Sequence, residues 1–372
     1  MIPSEQVRSD REVRVRAPGK VNLSLRVGAR EADGYHPLAT IFQAVSLYEE
    51  VIARPARELR VTVSGEQADK VPTDLTNLAL LAAQLLAAHT GVDAGVHLHL
   101  HKAVPVAGGM AGGSADAAAA LIACDALWGT GLPREELADL AAHLGSDVPF
   151  PLAGHTAIGT GRGQLLTPAM SRGEYHWAFA VRDVGLSTAR VFGAFDELIA
   201  GSTRLEPEAD RALMQALRAG DAQALGRALH NDLQHAALEL APDLAEPLSV
   251  AEDAGALGVL VSGSGPTIAA LARSRQHALV IAAAMTTACC RLRASAATVG
   301  PDPETSTPSA PASSATASGS VRSGASSRAA CWRSLCRAAP SATGSPARSA
   351  WSSATSASGP AAEASRSSSN AA

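Results

Sequence analysis

The order of apolar periodicities predicts an α+β chain of two domains with α/β-like alternation, and three observations carry that expectation. Segments alternating every second residue give way repeatedly to segments with leucine and alanine at helical spacing, from residue 13 to residue 287. A glycine-rich loop at 105–115 joins an alternating segment to an alanine-rich one. Composition then changes abruptly near residue 301, where the alternation stops.

Residues 13–27 (VRVRAPGKVNLSLRV) alternate apolar and polar side chains as a half-buried strand does, with Pro18-Gly19 as an interruption. Residues 38–51 and 59–63 read as further strands. Residues 77–89 (NLALLAAQLLAAH) read as a helix, with Asp74, Thr76 or Asn77 as its cap. Residues 96–101 alternate again and lead into the glycine loop; 115–128 and 134–144 are helical, and 149–159 returns to strand. After the glycine-broken stretch 159–163 a second set begins, with a strand at 176–181 and helices at 189–199, 222–235 and 242–253. Strands at 259–262 and 267–271 flank Gly263-Ser264-Gly265-Pro266, and a last helix covers 276–287. These elements divide the chain into a domain over 1–168, a second over 169–303 and a tail over 304–372.

A chain of 372 residues has room for two domains and an ample core, and 47% hydrophobic content suits a soluble enzyme. Net charge of −4 argues against a surface built to grip nucleic acid or anionic membrane. No apolar run approaches the ~20 residues that span a bilayer. The stretch MIPSEQVRSDREVRV lacks the basic-then-apolar order of a secretory signal, so a cytoplasmic location is expected. The five cysteines (Cys124, Cys289, Cys290, Cys331, Cys336) show no metal-ligand spacing, and a bridge between adjacent Cys289 and Cys290 would be strained, so reduced thiols are expected. Three lysines stand against 28 arginines, a bias that GC-rich coding produces; against it, Lys20 and Asn22 stand out by their proximity. From Pro301 onward, 21 serines and 19 alanines accompany only Val321 and Leu335 as larger aliphatics, too little apolar surface to offset ordering entropy. The tail is therefore expected to be disordered, and its bias is also that of GC-rich DNA read out of frame.

Four glycines and a serine lie within seven residues of VPVAGGMAGGSADAAAAL, just before a helical run. Glycine clears side chains from backbone N–H groups, and a helix start offers unpaired donors and a positive dipole end, a combination that suits phosphate. No lysine precedes Ser114 as it would in a P-loop, so any assisting cation comes from elsewhere in the chain; a flexible connector is the plain alternative. Four further clusters carry chemistry or ordinary structure. Lys20 and Asn22 share one strand face, either as a fixed charge beside a reacting group or as a surface bend. Asp33-Gly34-Tyr35-His36-Pro37 is a hairpin tip or a rigid platform for a flat ring. Asp147 in LGSDVPF is a turn residue or a carboxylate for an attacking hydroxyl. Residues 261–267 form a tight hairpin or a second wall of a phosphate site.

Taken in order, PGKVNL, DGYHPL, GGMAGGSADAA, LGSDVPF and GSGPT closely resemble the galactokinase, homoserine kinase, mevalonate kinase and phosphomevalonate kinase superfamily, the GHMP kinases, over residues 10–303. Within it, DGYHPL after PGKVNLSL, and GSDVPF with its aspartate, resemble the kinases of 4-diphosphocytidyl-2-C-methyl-D-erythritol in the non-mevalonate isoprenoid pathway. The resemblance implies a GHMP fold: a first domain like domain 2 of ribosomal protein S5, a ferredoxin-like second domain, and a cleft between them. It implies ATP as donor, Mg²⁺ carried with ATP rather than in a metal site of the protein's own, and the C2 hydroxyl of the cytidyl diphosphate as acceptor. It implies no nucleic-acid or membrane partner, and a monomer or weak homodimer. By motif, Lys20 and Asp147 match the catalytic pair. Pro105, Val106, Ala107, Gly108, Gly109, Met110, Ala111, Gly112, Gly113, Ser114 and Ala115 match the nucleotide loop, and Lys102 and Asn77 match positions approaching the nucleotide. Asn22, Tyr35, His36 and Phe192 match the acceptor side. Two departures stand out: Met110 and Ala111 break the glycine run, and Asp116 replaces an asparagine common in relatives. Other GHMP kinases, for homoserine or mevalonate, and a non-catalytic nucleotide-binding homologue are the alternatives.

Overall fold

The computed structural model describes residues 11–106, 108–202, 205–288 and 292–299; Ala107, every cysteine except Cys124, and the 304–372 tail lie outside the described residues. Strand β1 (Val13–Val27) pairs antiparallel with β2 (Leu38–Ala56). Register shifts at the proline–glycine interruption, where Gly19 faces three residues of β2 (45–47), and again between Asn22 and Ser24, where Leu23 is the extra residue of β1. β3 (Arg60–Gly65), α1 (Leu78–Thr90) and β4 (Gly95–Lys102) follow, then α2 (Gly112–Trp128) and α3 (Arg134–Leu144). The alternation along β4 is real, with Val96, Leu98 and Leu100 fully buried. They pack under α1, α2 and α3 in a core of valine, leucine and the small residues of α2.

Two expectations needed correction here. Residues 149–159 are not one strand but α4 (Pro149–Ala153) followed by β5 (Thr156–Thr160). Proline suits a first helical position, where its missing N–H has no partner to lose, and Gly154 at φ +64° ends the turn. Strand β6 (Leu165–Pro168) completes a hairpin with β5. Beyond it come β7 (Tyr175–Arg182), α5 (Thr188–Leu198) and α6 (Arg211–Ala219), the last capped by Asp210 and absent from the sequence reading. Residues 222–235 are likewise not one helix. They are α7 (Ala222–Ala228), the short β8 (His230–Asn231) and the start of α8 (Gln234–Leu240). Leu229 is extended, and β8 pairs parallel with β1 at Ser24 and Leu25, so sheet pairing overrides an alanine-rich helical pattern.

The remainder is α9 (Ala245–Asp253), β9 (Gly258–Val261), β10 (Ile268–Ala272), α10 (Arg275–Ala288) and β11 (Leu292–Val299). One sheet runs β3-β4-β2-β1-β8, with β5 on β2 and β6 on β5; the other runs β11-β7-β10-β9, wholly antiparallel. The second sheet has the βαββαβ order of a ferredoxin-like unit. Val21, Leu23 and Ile41 from the first sheet bury against Tyr175, Trp177 and Phe179 from the second. That shared core holds the two sheets at the level of Lys20 and Asn22.

Candidate active site

Lys20 lies beside the glycine loop: its backbone N–H donates to Met110 O at 3.1 Å. A Cβ on Gly19 would meet Val104 at 3.1 Å, so glycine there permits the close approach. Lys20 is 3% exposed, and its Nζ donates to Asn22 Oδ1 at 2.6 Å. Asn22 Nδ2 donates to Thr40 Oγ1 at 2.9 Å, and Thr40 donates onward to Ser24 O, which fixes the amide with its oxygen toward the lysine. Asp147, on the turn after α3, brings Oδ2 to 3.9 Å from Lys20 Nζ and remains 41% exposed. Burial pushes the Lys20 ammonium below its usual pKa, and Asp147 offsets part of that shift.

The glycine loop reaches across to the β9–β10 turn. A Cβ on Gly109 (φ +75°) would lie 2.8 Å from Gly265 O and 2.9 Å from Ser262 O, and Thr267 donates its hydroxyl to Gly108 O. A Cβ on Gly263 would lie 3.3 Å from Lys20 Nζ. Ala111, left-handed at φ +59°, precedes α2 without any side-chain cap, so the first N–H groups of that helix face the loop without a side-chain acceptor. Asn231 anchors the opposite wall, donating to Val261 O at 2.6 Å and Gly263 O at 2.8 Å.

These parts line a cavity of about 320 Å³ that contains Lys20, Asn22, Pro105, Gly108, Gly109, Ala111, Gly112, Gly113, Ser114, Asp147 and Phe192. Val106, Met110 and Ala115 shape the loop from behind: Val106 N–H donates to Gln67 Oε1, while Met110 and Ala115 are buried. Tyr35 and His36 lie one contact further out. His36 packs 5.0 Å from the Phe192 ring and bonds Asp196 at 2.7 Å; Tyr35 is 54% exposed beneath the Arg162 guanidinium, 3.6 Å from its ring centroid.

Like Val106, Met110 and Ala115, the two residues assigned to the nucleotide side beyond the loop lie outside this lining. Asn77 caps α1, accepting from Ala79 N–H at 2.9 Å and donating to Pro72 O. Lys102 is held between Glu49 Oε1 at 2.6 Å and Asp116 Oδ2 at 2.5 Å, all three buried. Asp116 is thereby withdrawn from the cleft. Among the described residues, no group of three or more His, Cys, Asp or Glu side chains is placed to hold a metal ion. No described helix is long and apolar enough to cross a membrane. Glu49, Arg162, Asp196 and Asn231 escaped the sequence reading. Only Asn231 had a signal, its rarity as an asparagine in this chain.

Residues 77–155 match the model for the GHMP kinases N terminal domain, and residues 213–291 match that for GHMP kinases C terminal. The chain is 57% identical over 281 residues to the 4-diphosphocytidyl-2-C-methyl-D-erythritol kinase of Thermobifida fusca, covering 73% of this chain and 91% of that protein. It is 55% identical to the one of Streptomyces avermitilis, covering 92% of it. A crystal structure of 4-(cytidine 5'-diphospho)-2C-methyl-D-erythritol kinase superposes with a TM-score of 0.64 at 32% identity, covering 78% of this chain and all of that one. A homoserine kinase from Cytophaga hutchinsonii, at 20% identity and a TM-score of 0.61, shares the fold. The two-sheet architecture is that of the GHMP kinases, and at this identity over nearly the whole length of its relatives the chain belongs to the 4-diphosphocytidyl-2-C-methyl-D-erythritol kinase family.

Proposed function

We propose that this chain transfers the γ-phosphoryl group of ATP to the C2 hydroxyl of 4-diphosphocytidyl-2-C-methyl-D-erythritol, in the cytoplasm, as a monomer or weak homodimer. The observation that carries the reading is the convergence of Lys20, Asp147 and the glycine loop on one cavity. Asp147 accepts or orients the proton of the attacking hydroxyl, and its exposure leaves room for that hydroxyl beside it. Lys20 faces the charge that grows during transfer, and Asn22 fixes the ammonium in place. Most of the work is positioning, as a loose phosphoryl transition state requires.

The donor's phosphates suit the loop, because Gly109 and Gly112 stand where any Cβ would crowd a neighbour and the uncapped start of α2 offers N–H donors. Ser114, on the first turn of α2 and in the lining, is the hydroxyl placed to meet phosphate or Mg²⁺; the ion when bound neutralises phosphate charge. Tyr35, His36 and Phe192 hold the cytosine end. Residues 1–168 supply the loop and the catalytic pair, and 169–303 supply Phe192.

ADP release coupled to a spectroscopic readout tests the reading, with ATP and the cytidyl acceptor on the full chain. Asp147→Asn is expected to bind ATP normally and lose on the order of 10²–10⁴-fold in turnover. Near-normal turnover refutes the role of Asp147. CDP is expected to compete with the acceptor; absence of competition, with turnover of homoserine or mevalonate instead, refutes the acceptor.

A further inference from the structure

The turn between β5 and β6 carries Arg162 between two glycines in left-handed conformation, Gly161 at φ +68° and Gly163 at φ +101°. Its backbone is well anchored. Leu38 N–H donates to Gly161 O at 2.7 Å, Gly163 N–H to Thr160 O at 3.0 Å, and Arg162 N–H to Gln164 Oε1 at 2.8 Å. Its side chain is not: 46% exposed, it reaches across to the β1–β2 turn, pairs with Asp33 Oδ2 and lies over Tyr35. Arg162 also lines the cavity that holds Lys20 and Asp147.

The charge along that cavity gives the residue a task. An acceptor with its ring at His36 and Phe192 and its hydroxyl at Asp147 lays a diphosphate between them. Among the described lining residues the positive side chains are Lys20 and Arg162. Lys20 is committed, 4% exposed and bonded to Asn22 at the reacting end. We infer that Arg162 is a specificity-determining residue that binds the acceptor's diphosphate, and that its pairing with Asp33 over Tyr35 is the resting position it leaves to do so. This rests on the cytidyl acceptor proposed above. An exposed arginine–carboxylate pair is weak, so a diphosphate carrying more charge displaces the single carboxylate, and the planar fork of guanidinium suits two phosphate oxygens. The same movement uncovers the Tyr35 face for a base, so ring and diphosphate recognition are coupled through one side chain.

The plain alternative is a strap that only steadies the 33–36 turn. Calorimetric titration of CDP and of cytidine into the full chain separates the two. Arg162→Met is expected to weaken CDP at least about 10-fold while cytidine stays within about 3-fold, and to flatten the salt dependence of CDP binding. In turnover it raises the acceptor KM and leaves the ATP KM unchanged. Asp33→Asn keeps the Oδ1 that accepts Tyr35 N–H (3.0 Å) but releases the guanidinium, so CDP binds equally or more tightly. Equal losses for CDP and cytidine in Arg162→Met, or weaker CDP binding in Asp33→Asn, mark a strap and overturn the inference alone. A parent chain that binds neither CDP nor cytidine overturns the acceptor reading and this inference together.

Discussion

Lys20 and Lys102 are both almost fully buried lysines near a carboxylate, and their surroundings set them to opposite work. Among the described residues Lys20 has one acidic neighbour, Asp147, at 3.9 Å and substantially exposed. Lys102 has two, Glu49 and Asp116, at 2.6 and 2.5 Å and both buried. Around Lys20 burial weakens the ammonium, and a partly exposed carboxylate offsets only part of that loss. Around Lys102 the strain falls on the acids: burial, then the charge of Asp116, pushes Glu49 up to about 7, and burial pushes Asp116 up as well. A lysine whose partner is distant and wet keeps attraction to spare for an incoming anion. One saturated by two close carboxyls has none, and it ties β2, β4 and α2 together under the loop; Glu49 also accepts Ala103 N–H at 3.0 Å.

Removing each lysine should therefore break different things. Lys102→Met leaves two buried acids without a cation and should cost about 3–5 kcal/mol of folding stability, read from urea denaturation at pH 7. A stability within about 1 kcal/mol of the parent would erase the contrast. Lys20→Met should lose on the order of 10²–10³-fold in kcat, as removal of one preorganised charge does, with folding stability held within about 1 kcal/mol. Should Lys20→Met unfold the protein instead, the two lysines are both structural and the division between them disappears.

How far this contrast was legible beforehand is instructive. β4 and α3 could be read from periodicity because each buries one face against a core, and the Val13–Ala17 start of β1 for the same reason, although β1 buries both faces from Gly19 to Leu25. The β8 break could not, since His230-Asn231 pairs with β1 across more than two hundred residues and local propensity is silent on that. The shared face of Lys20 and Asn22 was readable because both lie on one strand two residues apart, although the bond between them was not. The partners of Lys102 were not. Glu49 sits mid-strand in β2, fifty-three residues away, with nothing local to mark it as buried. Arg162 and Asp33 are a stronger case, separated by 129 positions and joined only when β5 pairs with β2. Motifs whose chemistry is local in sequence announce themselves; ion pairs closed by the fold do not.

The smallest expected effect tests the Lys102 side by pH. Both acids titrate higher in the fold than in the unfolded chain, so the native state binds protons more tightly. That contribution is full below the ordinary Glu49 value of 4.5 and is lost as pH rises through about 7, so stability should fall between pH 5 and pH 8. Asp116 Oδ1 is buried and accepts no hydrogen bond, so its negative charge is poorly compensated on that side. Asp116→Asn keeps the shape and an oxygen for Lys102 while removing one charge from a site with two acids and a single cation. It should flatten the fall and leave the protein more stable than the parent at pH 8. Urea midpoints across that range decide it: a parent profile already flat, or a steeper one in Asp116→Asn, would mean that Lys102 compensates both acids fully. The surplus negative charge that distinguishes its surroundings from those of Lys20 would then be absent.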